Sequence, residues 1–387
     1  MRIEELTTLG ALRRLEAEWR TLALPTPMQG PAWLVSWWEA FGEDDPAREL
    51  SALAVRDEAG VLVGFAPWYT RRRPMVGPTL RFLGDGRAST DHHTLLCRGP
   101  EDEPAVVTAV ARWVIDGAGE AWRRMRFEAI DADDRAMNHL ERLLGEAGLD
   151  AERIADLGSF PAPLAAASDE PDWDRYLATL SKNRRKRLRR WVREEFDTWR
   201  ATTLVARTDA DRQAMWPLLV DLHRERRAAM GEPGVFDEPR FDRFHRTASR
   251  RLLEEGRLYL AVMELDGAPA AIEYSLQDRP GEGANAVYAY QGGIATEAMG
   301  DDAGHLSLMA LVRHAIATGR TRLDLLRGDE PYKLSWGATH RAAHTLHVRP
   351  RDAAGTLERW AGNAYRRWRD GAPNEPAAAE TAAETPA

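Results

Sequence analysis

Two stretches far apart in the chain read as copies of one another. LAVRDEAGVLVGFAPW from Leu53 and LAVMELDGAPAAIEYS from Leu260 align without a gap, share the opening Leu-Ala-Val, and set Gly60 opposite Gly267. Each places apolar runs on both sides of a glycine turn, the pattern of a β-hairpin. A second pair follows in the same order. ARWVIDGAGEAWRRMRFEAI from Ala111 and VRHAIATGRTRLDLLRG from Val312 each pass from helical spacing into a strand carrying an acid, Glu128 or Asp324. Order and spacing agreeing twice predict a tandem repeat of one α/β unit.

A chain of 387 residues is long for one core, which fits two such units. The prolines and small residues of SFPAPLAAASDEPD, Ser159–Asp172, interrupt any period and mark the break. The expectation is a first domain over residues 1–165 and a second over 166–350. Leu357, Trp360, Ala361, Ala364, Tyr365 and Trp368 predict a C-terminal helix over 351–370, and the small, polar residues 371–387 predict a disordered tail.

Apolar content of 44% and charged content of 29% are those of a soluble globular protein. No window approaches eighteen uncharged apolar residues, and MRIEELTTLGALRRLEAEWR reads as an amphipathic helix rather than a signal peptide, so the expected location is cytoplasmic. The single cysteine, Cys97, excludes an internal disulfide and reads as a small buried hydrophobe. A net charge of −8 argues against a general nucleic-acid binder while leaving local basic patches open.

One such patch is SKNRRKRLRRWVREEFDTW, which opens with Ser181 as a helix cap and crowds cations between Lys182 and Arg190, among them Arg185 and Lys186. Leu188, Trp191, Val192, Phe196 and Trp199 form one stripe beneath them. The cations suit a polyanion, a phosphorylated substrate, an RNA acceptor stem or an anionic membrane surface; a solvated face neutralised by acids is the alternative. In the repeat alignment Glu273 stands opposite Ala66, a carboxylate on an otherwise apolar strand, costly to bury unless paired or used. Its alternative is an exposed acid or the partner of an arginine.

Asp91, His92 and His93 invite a metal reading, yet neighbouring histidines on an extended segment face opposite ways and no further ligand sits at a suitable spacing, so no metal is expected. Hydrolase elbows, phosphate loops and dinucleotide fingerprints are missing from the sequence. GDDAGHLSLMALVRHAIATG predicts a loop entering a helix near Gly304, a place where unpaired amides can hold an anion, although Asp301 and Asp302 oppose that.

Of 53 lysines and arginines only Lys182, Lys186 and Lys333 are lysine. All three fall in two stretches, the basic helix and LDLLRGDEPYKLSW, Leu323–Trp336. These stretches, and the order of segments between them, resemble the CelD-like branch of the GNAT N-acetyltransferase superfamily, linked to cellulose or envelope biosynthesis. More distantly the chain is similar to FemAB-type aminoacyltransferases. The most specific marker is RGDEPYK, Arg327–Lys333, followed by Trp336. The resemblance implies tandem GNAT-like folds, each a mixed, mostly antiparallel sheet flanked by helices, with a degenerate first copy.

It further implies acyl transfer from acetyl-CoA or another acyl-CoA, used as co-substrate with no permanently bound cofactor, to an amine or hydroxyl on a small molecule or glycan precursor. The donor would lie between two splayed strands with its pyrophosphate at the Gly300–His305 loop, near Gly304 and His305, where the usual (Q/R)xxGxG/A pattern is absent. An aminoacyl-tRNA donor reached through the basic helix is the FemAB-like alternative, and a non-catalytic partner of a polysaccharide machine is a third. On the enzymatic readings Glu273 would be the base, Tyr332 the acid, and Lys333 a holder of a substrate anion or the oxyanion, with Asp324 and Asp329 orienting Lys333 and Arg327; the structural alternative is that Asp329 and Glu330 cap a turn while Lys333 and Tyr332 pin the second domain to its neighbour. Acyl chain, acceptor and oligomeric state are beyond the sequence.

Overall fold

The computed structural model describes residues 1–74, 76–165, 171–229, 231 and 233–351. The expected C-terminal helix, apart from Arg351, and the tail lie outside the described residues. The first half runs β1 (Arg2–Leu6), α1 (Leu9–Trp19), α2 (Pro31–Trp37), β2 (Arg48–Leu50), β3 (Ala52–Arg56), β4 (Leu62–Ala66), β5 (Trp68–Arg73), β6 (Gly77–Phe82), β7 (Leu96–Cys97), α3 (Glu103–Asp116), β8 (Arg124–Asp131), α4 (Arg135–Glu146) and β9 (Asp150–Ser159). The second runs β10 (Pro161–Pro163), α5 (Trp173–Thr179), α6 (Lys182–Trp191), β11 (Ala201–Val205), α7 (Asp209–Ala229), α8 (Pro239–Glu254), β12 (Leu258–Leu265), β13 (Ala268–Gln277), β14 (Ala286–Ile294), α9 (Ala303–Ala317), β15 (Arg322–Asp324) and β16 (Arg341–Arg349).

Three sheets result, ordered β1-β3-β4-β7, β2-β5-β6-β8-β16-β9 and β10-β15-β14-β13-β12-β11. All pairs are antiparallel except β6 with β8 and β14 with β15, each joined through one crossover helix, α3 or α9. The repeated hairpins are β3–β4 and β12–β13, as the sequence predicts, but the gapless alignment slips by one. Leu53 pairs with Ala66, whereas Leu260 pairs with Tyr274 and Ala261 with Glu273. The first-half counterpart of Glu273 is therefore Phe65, which pairs with Ala54. A five-residue connection after Arg56, against Asp266-Gly267 in the second copy, accounts for the slip.

The chain start also departs from expectation. Arg2–Leu6 is a strand paired with β3, and the helix begins only after Thr8, whose hydroxyl accepts from the amide of Ala11. The stripe on the basic helix is likewise broken. A wider π-helical turn over Val192–Phe196 shifts the phase, and Trp199, at φ 62°, stands 80% exposed.

The halves exchange strands. β16, at the far end of the described chain, inserts between β8 and β9 of the first-half sheet, while β10, which falls before the expected boundary at residue 165, pairs with β15 in the second-half sheet. Division of the chain at residue 165 therefore does not divide the sheets. Leu346 and Val348 of β16 are fully buried among α3, α4 and β8, and burial of each contributes roughly 2–3 kcal/mol. A second core joins both halves, with Trp33 of α2 lying 4.8 Å from Phe244 of α8 and packed edge-on.

Candidate functional site

Parallel pairing of β14 with β15 lasts only from Ala286 opposite Arg322 to Tyr288 opposite Asp324. Beyond it β14 continues to Ile294 along an open edge, while the other chain turns away, with Leu325 donating its amide to Phe160. A register shift between Tyr274 and Ser275 sets Tyr290 in a bulge of β14. Gly293 is required where β14 meets α7, because a Cβ there would sit 2.6 Å from the backbone nitrogen of His223. Gly292, its neighbour, pairs with Glu273, and a Cβ there would lie 3.5 Å from Glu273 Oε2.

Glu273 sits half-buried on β13 and accepts a 2.7 Å hydrogen bond from Ser275 Oγ. Burial pushes its carboxyl up to about 7, against the pull of Ser275 and of Arg226 on α7. Tyr332 is 36% exposed just past RGDEP. Burial, Glu330 and Glu273, in that order, push its phenol up to about 12. Glu273, Tyr332, Glu330 and Arg226 thus share one electrostatic neighbourhood. Arg226 and Ser275 were missed from the sequence because nothing in an arginine-rich helix or a single strand serine distinguishes them.

Lys333 is only 2% exposed. Its ammonium donates to the carbonyls of Leu326 at 3.2 Å, Arg327 at 2.8 Å and Gly328 at 3.2 Å, and pairs with Glu330 at 2.9 Å. It closes a turn in which Leu326 has φ 53° and Gly328 φ 117°. An ammonium with every proton engaged in this cage has none left to hold a substrate anion. Its expected partners differ too. Asp324 accepts from the amide of Leu326 and lies 3.4 Å from His92 Nε2, Arg327 pairs with Asp91, and Asp329 is exposed with no partner among the described residues.

The Asp91-His92-His93 segment explains those pairings. His92 stands between Asp131 at 2.9 Å and Asp324; burial pulls its pKa down, but the two carboxylates carry it up to about 10. Arg327 donates its amide to Asp91 and a guanidinium nitrogen to the carbonyl of Thr90, both at 2.9 Å. His93 lies at the first-half counterpart of that edge, stacked 4.8 Å from Phe82, with one ring nitrogen 2.9 Å from the carbonyl of Glu128 and the other 3.2 Å from that of Leu83; burial lowers its pKa, so its single N–H serves one of the two.

Gly304 and His305 fall in the first turn of α9. Gly304 lets the helix pack on β14, since a Cβ would meet Ile294 Cδ1 at 2.5 Å. Asp302 precedes the helix at φ 58° but does not cap it; both its oxygens take Arg187 at 2.8 Å. On α6, Lys182 and Lys186 are exposed, and Arg185 is partly buried with a bond to the carbonyl of Ala178. Arg184 points inward, 8% exposed and 4.2 Å from the ring of the fully buried Trp336. Its spacing with Leu188 and Trp191, on one helical face, was the signal that could have found it. A groove of about 590 Å³ in the first half is lined by Glu5, Trp38, Arg48, Glu49, Thr70 and Trp113, none of them a sequence candidate.

Residues 182–334 match the family model described as acetyltransferase (GNAT) domain. Among solved structures, FemX matches with TM-score 0.63 at 11% identity, covering 89% of this chain and 97% of that one. A conserved protein of unknown function from Bacteroides thetaiotaomicron VPI-5482 matches with TM-score 0.56 at 11% identity, covering 90% and 100%. The C-terminal domain of a putative lysylphosphatidylglycerol synthetase from Agrobacterium fabrum matches with TM-score 0.50 at 14% identity, covering 91% and 96%. Comparison with curated proteins gives no match. At these identities the structural likeness concerns the fold alone, a mixed α/β arrangement of mostly antiparallel sheets, and the match to an acetyltransferase (GNAT) domain is confined to residues 182–334.

Proposed function

We propose that the second half transfers an acyl group from an acyl-CoA to an amine or hydroxyl acceptor at the open edge of β14. The observation that carries this reading is the placement of Glu273, a buried-strand carboxylate paired across to Gly292 of β14 and bonded by Ser275 Oγ, whose pKa burial raises to about 7 and whose charge reaches Tyr332. A base with that pKa is half ionised near neutrality, where general-base catalysis works best. The acceptor's lone pair attacks the thioester carbonyl carbon while Glu273 takes its proton, and amides on the open edge of β14 receive the developing oxyanion. The C–S bond then breaks and the thiolate leaves with the electron pair. A phenol near 12 is too weak an acid to protonate a thiolate fully, so Tyr332 acts by hydrogen bonding to the departing sulfur, which then takes its proton from solvent.

Lys333 enters as a positioning residue, holding the turn that places Tyr332. Asp324 and Arg327 act at one further remove, through His92 and Asp91, fixing the second half to the first. The first half, where His93 lies at the counterpart of the β14 edge, is the degenerate copy. A glycan precursor as acceptor, membership of the CelD-like branch and a cytoplasmic site of action, where acyl-CoA is found, complete this reading. Among the described residues no helix is long and apolar enough to cross a membrane. Free thiol released from acetyl-CoA and longer acyl-CoAs, with a panel of amines as acceptors, tests it: turnover lost in Glu273→Gln and Tyr332→Phe is expected, and turnover retained in both overturns it.

The likeness to FemX and the exposed Lys182 and Lys186 favour a second reading, a FemAB-like transferase that takes its acyl group from aminoacyl-tRNA. Neutralising Lys182, Arg185 and Lys186 together should then weaken tRNA binding and flatten its salt dependence. Unchanged tRNA binding removes this reading. The same cations could instead rest on an anionic membrane surface, which flotation with anionic vesicles would detect.

A further inference from the structure

Arg226, in the last turn of α7, is half-buried and makes no hydrogen bond or ion pair among the described residues. The polar residues just before it are engaged: Arg224 pairs with Asp221 and Asp237, and Glu225 accepts the amide of Thr296 at 3.3 Å. Holding a guanidinium partly out of water without a partner costs free energy, so its position calls for a reason.

The packing of α7 on β14 says where the side chain goes. A Cβ on Gly293 would meet the backbone of Leu222 and His223, and Glu225 reaches Thr296, so helix and strand advance together and Arg226 comes level with the end of β14. Successive strand residues face opposite ways. Gly293 faces α7, so Gly292 and its pair Glu273 face away from that helix. Burial is the main influence on the carboxyls of Glu273 and Glu330 and on the phenol of Tyr332, and all three also feel the charge of Arg226. A side chain that leaves α7 and is felt both by Glu273 on the far face and by the segment after β15 fits the open edge of β14, where no neighbouring strand stands between them.

Neither acid answers that charge. Glu330 is held by Lys333 at 2.9 Å, and Glu273 takes its hydrogen bond from Ser275. When Glu273 accepts a proton from the acceptor it becomes neutral, and Arg226 is then left without a negative charge to balance it. A carboxylate on the acceptor supplies that charge, and the planar fork of a guanidinium matches it with two parallel hydrogen bonds.

We propose that Arg226 binds a carboxylate of the acceptor and so restricts the reaction to acceptors that carry one close to their nucleophile. This rests on the acyl-transfer reading above and narrows its acceptor. Arg226 thereby governs specificity, while the proton still passes to Glu273.

The test measures free thiol release from acetyl-CoA with glycine, β-alanine and γ-aminobutyrate against their primary amides, which keep the amine and lose the carboxylate, in wild type and in Arg226→Met. For the amino acid used best, the kcat/KM ratio of acid to amide should fall roughly 10- to 100-fold in the variant, the effect expected of a charged, bidentate contact. Loss of the charge also shifts the titration of Glu273, equally for both acceptors, so the ratio is read and not the rate. An arginine that merely supports the end of α7 lowers both rates and leaves the ratio in place, which overturns the inference while the transferase reading stands. Where no acceptor turns over, the transferase reading fails and calorimetric titration with the same three acids decides the inference. Binding that Arg226→Met abolishes keeps it; binding that the variant retains, or no binding by wild type, overturns it.

Discussion

Replacing Glu273 by glutamine should stabilise the protein above neutral pH while abolishing its activity. In the unfolded chain the carboxyl titrates near 4.5, and in the fold burial lifts it to about 7. A raised carboxyl pKa means that the native state holds its proton longer, so stability falls as pH rises through that window. The lift of about 2.5 units corresponds to a ceiling of roughly 3 kcal/mol, reduced because Glu273 keeps some access to solvent. Glutamine keeps an oxygen for Ser275 Oγ, which now donates 2.7 Å to Glu273. The apparent Tm of Glu273→Gln should exceed that of wild type by a few degrees at pH 8.5, and the gain should nearly vanish at pH 4.5, where both side chains are neutral in the fold. An equal gain at both pH values, or none at pH 8.5, would refute the idea that this carboxyl is strained by burial.

Lys333→Arg should lower activity at least 10-fold through misplacement of Tyr332, because a planar guanidinium does not fit a cage of three carbonyls and Glu330; wild-type turnover would show that the cage is not needed. Ending the chain after His340 removes β16 from between β8 and β9, and should give an insoluble protein or one melting at least about 10 °C lower; an unchanged Tm would contradict the strand exchange. Gly293→Ala should cost about 1–3 kcal/mol by overpacking against α7, whereas Gly300→Ala, with nothing within 4 Å, should be neutral by thermal shift. The pKa of His92, raised to about 10, should make its contribution to stability complete below about 6.5 and lost as pH rises through 10, a loss that the Tm of His92→Gln should not show.

Local patterns made the repeat legible. The two hairpins and the two crossover helices announced themselves because each needs only a glycine turn or an apolar stripe within a dozen residues. Long-range pairing was not legible. Nothing in RAAHTLHVR says that β16 crosses to the other half, since a strand's own sequence specifies a face and not a partner. The one-residue slip that exchanged Ala66 for Phe65 opposite Glu273 came from turn length, which a gapless alignment hides. At the proposed site, Glu273 and Tyr332 are candidates from strand pattern and resemblance, while the sequence left Lys333 between a substrate-holding and a structural role. Its partners are backbone carbonyls, which leave no trace in the side-chain sequence. Asp91 and His92 looked like stray metal ligands only because Arg327 and Asp324 lie so far along the chain.

The central claim is that Glu273 is the base of an acyl transfer in the second half. The most direct measurement is kcat/KM for acyl-CoA, read as free thiol release with a saturating amine acceptor, across pH 5 to 9 in wild type and Glu273→Gln. The wild-type rate should rise with pH through a limb near 7 as the carboxyl loses its proton, and the variant should lose at least about 100-fold together with that limb. A variant that keeps both the rate and the limb would contradict it.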